Sequence, residues 1–383
     1  MFGWRKRTVL AITGTLLLAG VWALSLALRP AVLELPTQLS DAEFWTMVED
    51  FSEPNGFFRS DNLLSNEAGL QVTIPQLKER VKPGGVYIGV GPEQNFTYIL
   101  NLEPKISFIV DIRRMNMIEH LLYKALFEVS TDRADFVARL FSRRRPRGIP
   151  EGASIEKIFD ALETEPADHA LFERNLAGVL THLSDTHKFQ LSPQDEDQVR
   201  YVYNAFFRAG PSLSYTFNDS YYQGTLGMPT YRELMLDTDE NDPPNNLGFL
   251  GTEARFRRLQ EVQRKNLIIP LVGDFAGPKT LRRIGRYLND HNAVLSSFYT
   301  SNVEMYLFQQ DRSWKRFYEN VRAIPTDAHS TFIRFTIGRR GVFDPDQGVV
   351  TRHAQMWSPI QEVLAAVYTR RVENYPGVIE MSH

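Results

Sequence analysis

The chain has 383 residues, of which 43% are hydrophobic and 12% aromatic, so it can bury a sizeable core and is not a disordered protein. Its 43 basic and 46 acidic residues give a net charge of -3, which provides no general attraction to nucleic acid, and we expect no nucleic-acid partner. It has no cysteine, which excludes disulfides, thiolate zinc sites and a cysteine nucleophile.

The N-terminal segment is typical of a membrane anchor. The basic run Arg5-Lys6-Arg7 precedes Thr8 to Leu28, an uncharged and mostly apolar stretch of about 21 residues that is long enough to cross a bilayer as a helix. The positive charge before it predicts a cytoplasmic N-terminus, with the remaining chain outside the cytoplasm. A cleaved signal peptide is the alternative, because Ser25-Leu26-Ala27 has the small residues of a cleavage site, and the product would then be secreted or periplasmic.

The stretch after residue 82 predicts a parallel β-α-β unit. Val86 to Val90 and Ile106 to Val110 are short apolar runs bounded by turn residues, and their length favours buried strands. About 15 residues separate them, with Phe96, Ile99 and Leu100 at helical spacing, which is enough for a crossover helix. Sheets built from such units bind ligands at the carboxyl ends of their strands.

Both predicted strands are followed by residues suited to ligand binding. In the turn from Gly89 to Asn95, the two glycines Gly89 and Gly91 let a ligand approach the backbone where the helix starts. Asp111 ends the second strand about 20 residues on, where a carboxylate can accept the hydroxyls of a ribose. Gln94 stands where a dinucleotide fingerprint has its third glycine, which disfavours NAD. The pattern predicts an adenosine-type ligand, and the alternative is a tight turn and an exposed acid without a ligand.

Alternating strands and helices return in the last third of the chain. Leu267 to Val272, Ala293 to Tyr299 and Thr331 to Ile337 are predicted strands, and Trp357 to Tyr368 is a predicted amphipathic helix. Five or more strands in this alternation predict an α/β fold with a three-layer, mostly parallel sheet. We interpret the region between the two halves as a large, mainly helical insertion. The predicted segments are 1–29 for the anchor, 30–134 and 264–383 for the halves of the α/β domain, and 135–263 for the insertion.

The insertion contains two groups of residues with side chains that metals use. His182, Asp185 and His187 form the first, but their spacing matches no face of a helix, and we predict no metal site there. The second is the acidic run Asp237 to Asp242, which lacks the central glycine and distal glutamate of a calcium loop. This run favours a flexible acidic turn.

The order of polar residues at the strand ends resembles that of class I S-adenosylmethionine-dependent methyltransferases. The segments VYIGVGPEQNF and LIIPLVGDFAGPK carry the likeness, which extends to a group of bacterial, membrane-anchored methyltransferase-like proteins. The resemblance implies a Rossmann-like domain with S-adenosylmethionine as its cofactor. It implies Gly89, Gly91, Glu93, Asn95, Asp111, Asp274 and Phe275 for cofactor binding, and Tyr299, Asn302 and Glu304 for catalysis. Glu93 replaces the last glycine of the family's turn, so we expect its side chain near the cofactor's carboxylate.

Two functions fit these observations. The first is a methyltransferase-like protein tethered to the membrane, with an unknown substrate whose nucleophile is oriented by Tyr299, Asn302 or Glu304; a buried Glu304 would serve as general base. The second is a non-catalytic Rossmann-like domain in the cell envelope that binds another ligand or a protein, because S-adenosylmethionine would be scarce outside the cytoplasm. An NAD-type oxidoreductase is disfavoured by the missing glycine.

Overall fold

The computed structural model of the chain describes residues 33–215, 228–238, 245–344 and 349–383, without the side chains of residues 337–344 and 349–353. The predicted anchor, Thr8 to Leu28, and most of the acidic run that begins at Asp237 lie outside these residues. Within the described part of the chain, no helix combines the length and the apolar character needed to cross a bilayer.

A six-stranded sheet lies at the centre of the fold, with strand order β3-β2-β1-β4-β5-β6. Strands β1 to β5 run parallel to one another, and β6 pairs antiparallel with β5. This confirms the prediction of an α/β fold with a mostly parallel sheet. The strands are Val86–Gly89 (β1), Ile106–Asp111 (β2), Ile268–Val272 (β3), Leu295–Ser301 (β4), Thr326–Asp344 (β5) and Val349–Pro359 (β6).

The first three strands are short, continuous apolar runs because both faces of a parallel sheet are covered. Every residue of β1, β2 and β3 is buried. Val86 lies opposite Ile106, and Gly89 opposite Ile109, in the pairing of β1 with β2. This register brings the glycine turn after β1 and the acid at the end of β2 to the same edge of the sheet.

Helices pack around the sheet in two groups. They are Asp41–Phe51 (α1), Ile74–Arg80 (α2), Gln94–Leu102 (α3), Arg114–Val129 (α4), Arg133–Leu140 (α5), Ile155–Glu163 (α6), His169–Thr181 (α7), Pro193–Ala209 (α8), Tyr231–Leu236 (α9), Glu253–Arg264 (α10), Thr280–Asp290 (α11), Val303–Gln309 (α12), Ser313–Arg322 (α13), Ile360–Tyr368 (α14) and Tyr375–Ile379 (α15). Helix α4 packs against α8 and α10, whereas α11 packs against α1 and α13. Right-handed crossovers place α3 and α4 on one face and α11 and α13 on the other.

Local sequence signals explain where several helices begin. The Ser40 side chain accepts from the backbone N–H of Glu43, and the Glu43 carboxylate accepts from the backbone N–H of Ser40, so α1 starts with a capping box.

Helices α5 to α10 form most of the described chain between α4 and β3, where the insertion was predicted. Pro359 ends β6, and α14 follows it directly.

The C-terminal boundary between strand and helix was predicted wrongly. Trp357 was placed at the start of a helix, but it lies in β6, opposite Ile333 of β5. The physical reason is that Trp357 completes an antiparallel ladder with β5, and this pairing overrides the helical spacing of the apolar residues after it. Strand β5 is also longer than the predicted Thr331 to Ile337, because it continues into the hairpin with β6.

Candidate functional site

The carboxyl ends of β1 to β4 meet at one edge of the sheet. Strand β1 pairs with β2 on one side and β4 on the other, so the chain adds β2 and β3 on one side of β1 and then returns to add β4 on the other. Open parallel sheets bind ligands in the crevice that forms at such a point. Asp111 ends β2, while Gly91, Asp274 and Asn302 closely follow β1, β3 and β4. The fold therefore gathers these four predicted positions along one edge.

The glycine turn after β1 is held by a side chain from α3. Gly91 has a φ of 78°, which a residue with a side chain adopts only with strain. A Cβ atom on Gly89 would lie 1.9 Å from Oδ1 of Asn95. The buried Asn95 amide donates to the carbonyl oxygens of Val90 (3.0 Å) and Pro92 (2.8 Å). Both Gly89 and Asn95 thus shape the turn, whether or not a ligand contacts its backbone.

Glu93 lies at the cap of α3 and is buried, with 1% of its surface exposed. One carboxylate oxygen accepts from the backbone N–H of Ser65 at 3.2 Å, and the other has no hydrogen-bond partner among the described residues. Burial raises the pKa of Glu93 to about 7, and the negative charge of Glu67 contributes. The turn therefore contains a carboxyl group that is poised to ionise near neutral pH.

Asp111 forms a buried ion pair with Arg113. Its Oδ1 accepts from the backbone N–H of Arg113 at 2.9 Å and from its Nε at 3.0 Å, and Oδ2 accepts from Nη2 at 2.9 Å. Burial lowers the pKa of Arg113, but the Asp111 carboxylate outweighs it and the pKa lies above its usual value. A carboxylate has about four acceptor positions, so the ion pair leaves one on Oδ2. Asp111 can accept one ligand hydroxyl without giving up this pairing.

The turn after β3 is closed by a carboxylate from the segment that follows α1. Oδ1 of Asp274 accepts from the N–H of Ala276 at 2.8 Å, within the turn itself. The Glu53 carboxylate accepts from the N–H groups of Asp274 (3.2 Å), Lys279 (2.7 Å) and Thr280 (3.0 Å). Glu53 therefore satisfies the first N–H groups at the start of α11, where an anionic ligand would otherwise bind.

Phe275, predicted to contact the cofactor, is a core residue. It is 3% exposed and stacks on Phe317 with ring centroids 5.6 Å apart. Its ring also meets the edge of Phe298, which belongs to β4. This packing against two buried rings leaves little of Phe275 to face the crevice.

Glu304, predicted as a catalytic residue, lies in a buried ion pair. Its carboxylate accepts from Nε and Nη2 of Arg334 and from the hydroxyls of Tyr318 (2.5 Å) and Thr300 (3.1 Å). Glu304 is 1% exposed and Arg334 is fully buried. These four hydrogen bonds fill the acceptor positions of the carboxylate, so none is left for a substrate proton, which disfavours a general-base role.

The other two predicted catalytic residues differ in accessibility. Tyr299 is fully buried, and burial raises the pKa of its phenol well above the usual value. Its hydroxyl accepts from the side-chain amide of Gln94 at 3.2 Å, which joins β4 to the glycine turn. Asn302 is half-buried directly after β4. Of the three residues, Asn302 is the best placed to contact a ligand in the crevice.

Residues 52–73, which we call the strap, cross the carboxyl edge of the sheet. The strap contacts the end of β2 through a hydrogen bond from Gly56 N–H to the Ile112 carbonyl at 2.8 Å. Ser65 contacts the turn after β1 through Glu93. The buried Glu67 accepts from the Ser301 hydroxyl at the end of β4. The predicted crevice is therefore covered by the chain's own residues.

A buried polar face of α4 lies behind the glycine turn, and the sequence analysis did not identify it. Nε2 of His120 is 2.9 Å from the Gly91 carbonyl, while its Nδ1 has no partner among the described residues. Neither carboxylate oxygen of the fully buried Glu119 has a partner within the same part of the chain. Burial lowers the pKa of His120 to about 4, and burial together with the Glu93 charge raises that of Glu119 well above its usual value. The sequence feature that could have predicted this polar face is the spacing of Asn116, Glu119 and His120, which places them on one side of the helix.

The two histidines of the insertion lie next to Glu128 of α4, a residue that the sequence pattern did not connect with them. His182 and His187 lie beside Glu128 at the end of α4, with their Nε2 atoms 2.7 and 2.5 Å from its Oε2. Asp185 is exposed and is not part of this group.

The chain belongs to a family described as a domain of unknown function (DUF7790), whose model matches residues 63–376. No curated protein matches the chain. The family description names no methyltransferase, so the resemblance to methyltransferases remains a prediction.

Proposed function

We propose that this chain is a methyltransferase-like protein that binds an adenosine-containing ligand of the S-adenosylmethionine class at the carboxyl edge of the sheet. The observation that carries the proposal is the strand order 3-2-1-4-5-6, the order of Rossmann-like folds, with the glycine turn and Asp111 on neighbouring strands at the switch point. In this pose the backbone of the turn faces the ligand, and Oδ2 of Asp111 accepts one ribose hydroxyl. Asp274 and Asn302 border the same crevice.

Electrostatics favour this ligand class over nucleotides with phosphate groups. The Glu53 carboxylate occupies the start of α11, where a phosphate could otherwise bind, and the carboxyl group of Glu93 lies at the first residue before α3. Glu67 adds a third carboxyl group at the edge. A sulfonium cation suits such surroundings, whereas a pyrophosphate would be repelled. The same argument disfavours NAD, in agreement with Gln94 in place of a third glycine.

The proposed chemistry is transfer of a methyl group from the sulfonium of the bound cofactor to a nucleophile of the substrate. Such a reaction depends mainly on in-line positioning of the reactants, so it does not require a dedicated base. Asn302 is our candidate for orienting the nucleophile, because it is only half-buried. Tyr299 and Glu304 would act as positioning residues that fix β4 and α12 through Gln94 and Arg334.

The second candidate function is a non-catalytic domain that binds another ligand or a protein. Two observations favour it: Asp111 and Glu304 are both held in buried ion pairs, and the strap covers the crevice. We propose further that residues 1–29 tether the protein to the membrane with the domain outside the cytoplasm. That location would make S-adenosylmethionine scarce and would favour this second function.

Calorimetric titration of the full chain with S-adenosylmethionine and S-adenosylhomocysteine tests the proposal. We expect binding of both, with the cationic S-adenosylmethionine bound more tightly. Asp111→Asn should weaken binding by about one to two decades, because a charge-assisted hydrogen bond contributes roughly 1.5–3 kcal/mol. The matched control is Asp290→Asn at the exposed end of α11, which should bind like the wild type.

Each outcome separates the candidates. No heat from either ligand, with the chain shown to be folded by circular dichroism, would reject the first function and favour the second. Binding that Asp111→Asn leaves unchanged would keep the ligand but reject this pose. Because Asp111→Asn leaves Arg113 with a weaker partner, thermal denaturation of the variant is needed to show that lost binding is not lost folding.

A further inference from the structure

A carboxylate and two imidazoles converge at the end of α4, on the far side of the molecule from the glycine turn. One ring nitrogen each from His182 and His187 and a carboxylate oxygen of Glu128 all lie within 4.8 Å of one another. Glu128 is the central member, since its Oε2 is 2.7 Å from His182 and 2.5 Å from His187. Two imidazole nitrogens and one carboxylate oxygen are a ligand set that zinc and related divalent metals use.

A π-helix produces this convergence. Residues His182–Thr186 form the π-helix at the end of α7, and the N–H of His187 donates to the carbonyl of His182 at 3.1 Å. This five-residue hydrogen bond is the one that defines a π-helix, and single π turns are frequent at functional sites. In an α-helix, residues three and four apart share a face, so histidines five apart would diverge. The local structure thus serves to bring the two rings together.

The surrounding residues orient the group as the outer shell of a metal site does. Nδ1 of His187 is 2.7 Å from Oδ1 of Asp41, so donation of its Nδ1–H to Asp41 would leave Nε2 to bind an ion once the Nε2 proton that Glu128 accepts is released. Lys124 donates to the other oxygen of Glu128 at 2.6 Å and to the carbonyl of Gln263 at 2.6 Å. Lys124 fixes the carboxylate and leaves Oε2 for a cation. With Asp41 and Glu128 negative and Lys124 positive, the group can accept a divalent ion.

We propose that Glu128, His182 and His187 bind one divalent transition-metal ion of the zinc class. Ligands at about 2.1 Å from a tetrahedral zinc ion lie about 3.4 Å apart. To admit the ion, the Glu128 carboxylate needs to withdraw from the imidazoles by less than about 1 Å, and the two imidazole nitrogens, which lie within 4.8 Å of each other, need to approach one another. The His182 side chain is 20% exposed, whereas Glu128 is 5% exposed. The ion is therefore reached from the His182 side, where water completes the coordination.

The position of this site indicates a structural role. Glu128 is the fifteenth residue of α4, so at a rise of 1.5 Å per residue it lies about 20 Å from the residues that adjoin Asp111. The metal would connect α4 with the π-helix of the insertion and, through Asp41, with α1. It would hold the first helix and the insertion on the α/β core, independently of any ligand at the carboxyl edge.

Metal binding to the untagged full chain tests the proposal. After treatment with a chelator, titration with Zn²⁺ should show one ion per chain, and Co²⁺ should give the intense visible absorption of a four-coordinate N/O site. His182→Gln and Glu128→Gln should each weaken Zn²⁺ binding more than Asp41→Asn, for which a loss of about 10–100-fold is expected. The control is His169→Gln, whose exposed side chain lies outside the group and whose loss should change nothing.

The unmodified chain provides a measurement that does not depend on how the variants fold. A folded wild-type chain that binds no stoichiometric Zn²⁺ and gives no four-coordinate Co²⁺ spectrum would overturn the proposal. In that case hydrogen bonds from the two imidazoles to the Glu128 carboxylate hold the group together without a metal. Binding equal to wild type in both His182→Gln and Glu128→Gln would overturn it as well, since the ion would then bind elsewhere.

Discussion

Glu93→Gln is expected to change how the stability of the protein depends on pH. The Glu93 carboxyl group is 1% exposed, and only one of its oxygens has a hydrogen-bond partner among the described residues, the N–H of Ser65. Burial raises its pKa to about 7 from an ordinary value of 4.5. Glutamine has nearly the same shape but cannot ionise, so the substitution removes the charge and retains the packing.

The sign follows from the two pKa values. Below pH 4.5 the carboxyl group is protonated in both the folded and the unfolded chain, and Glu93 makes no pH-dependent contribution. As the pH rises towards 7, the unfolded chain loses this proton first, so the free energy of unfolding falls; above the folded pKa the loss is complete. The difference between the two pKa values corresponds to about 3 kcal/mol. Glu93→Gln should therefore match the wild type at low pH and exceed it by up to about 3 kcal/mol at alkaline pH.

Urea denaturation at one pH below the unfolded value and one above the folded value measures this difference. Other buried acids, Glu67 and Glu119 among them, also affect the pH dependence, so the quantity to compare is the difference between Glu93→Gln and the wild type. The control is Glu319→Gln, which replaces an exposed glutamate on α13 and should follow the wild type at both pH values. Parallel pH profiles for Glu93→Gln and the wild type would refute the reasoning, because they would mean that Glu93 is ionised and compensated in the fold.

Three more outcomes are expected. Glu304→Gln should lower the free energy of unfolding by about 3–5 kcal/mol in urea denaturation, because it leaves the buried Arg334 without its charge partner, and Glu304→Leu combined with Arg334→Leu should recover much of this loss. Gly89→Ala should destabilise the fold by about 1–3 kcal/mol, since its Cβ would overlap the Asn95 amide that holds the turn, and a wild-type melting temperature would contradict this. Reporter proteins fused after residue 40 should be active only outside the cytoplasm, because of Arg5-Lys6-Arg7, and activity confined to the cytoplasm would exclude the predicted orientation.

The elements that the sequence predicted best are those in which local pattern and tertiary environment agree. Val86 to Val90 and Ile106 to Val110 are continuous apolar runs between turn residues, and both form buried parallel strands. Asp111 was placed correctly at the end of its strand. The sequence pattern did not predict the ion pair of Asp111 with Arg113, which lies two residues later and whose side chain folds back onto the carboxylate. Strand ends were predictable because they depend on local sequence.

The features that were missed depend on contacts between distant parts of the chain. The polar face of α4 was overlooked because Leu121 and Leu122 dominate the helical pattern, yet Glu119 is buried as deeply as the leucines and His120 is also buried. His182 and His187 did not fit an α-helical face, because the π-helix that brings them together is not visible in residue spacing. The strap has no regular pattern at all, and only the fold shows that residues 52–73 cross four strand ends.

Arg113 connects the two features of the carboxyl edge that decide how a ligand could bind. Its guanidinium donates to both oxygens of Asp111 and also to the backbone carbonyls of Ser60 and Asp61 in the strap. A ligand hydroxyl on Asp111 would therefore share its carboxylate with a residue that also holds the strap in place. Ligand binding and closure of the strap are coupled equilibria, and such coupling is reciprocal. A ligand that displaces the strap should therefore bind more tightly when the contacts between Arg113 and the strap are weakened. In the proposed methyltransferase-like function, the strap would then be the element that opens to admit the cofactor. Arg113 would couple this opening to cofactor binding, because it contacts both Asp111 and the strap.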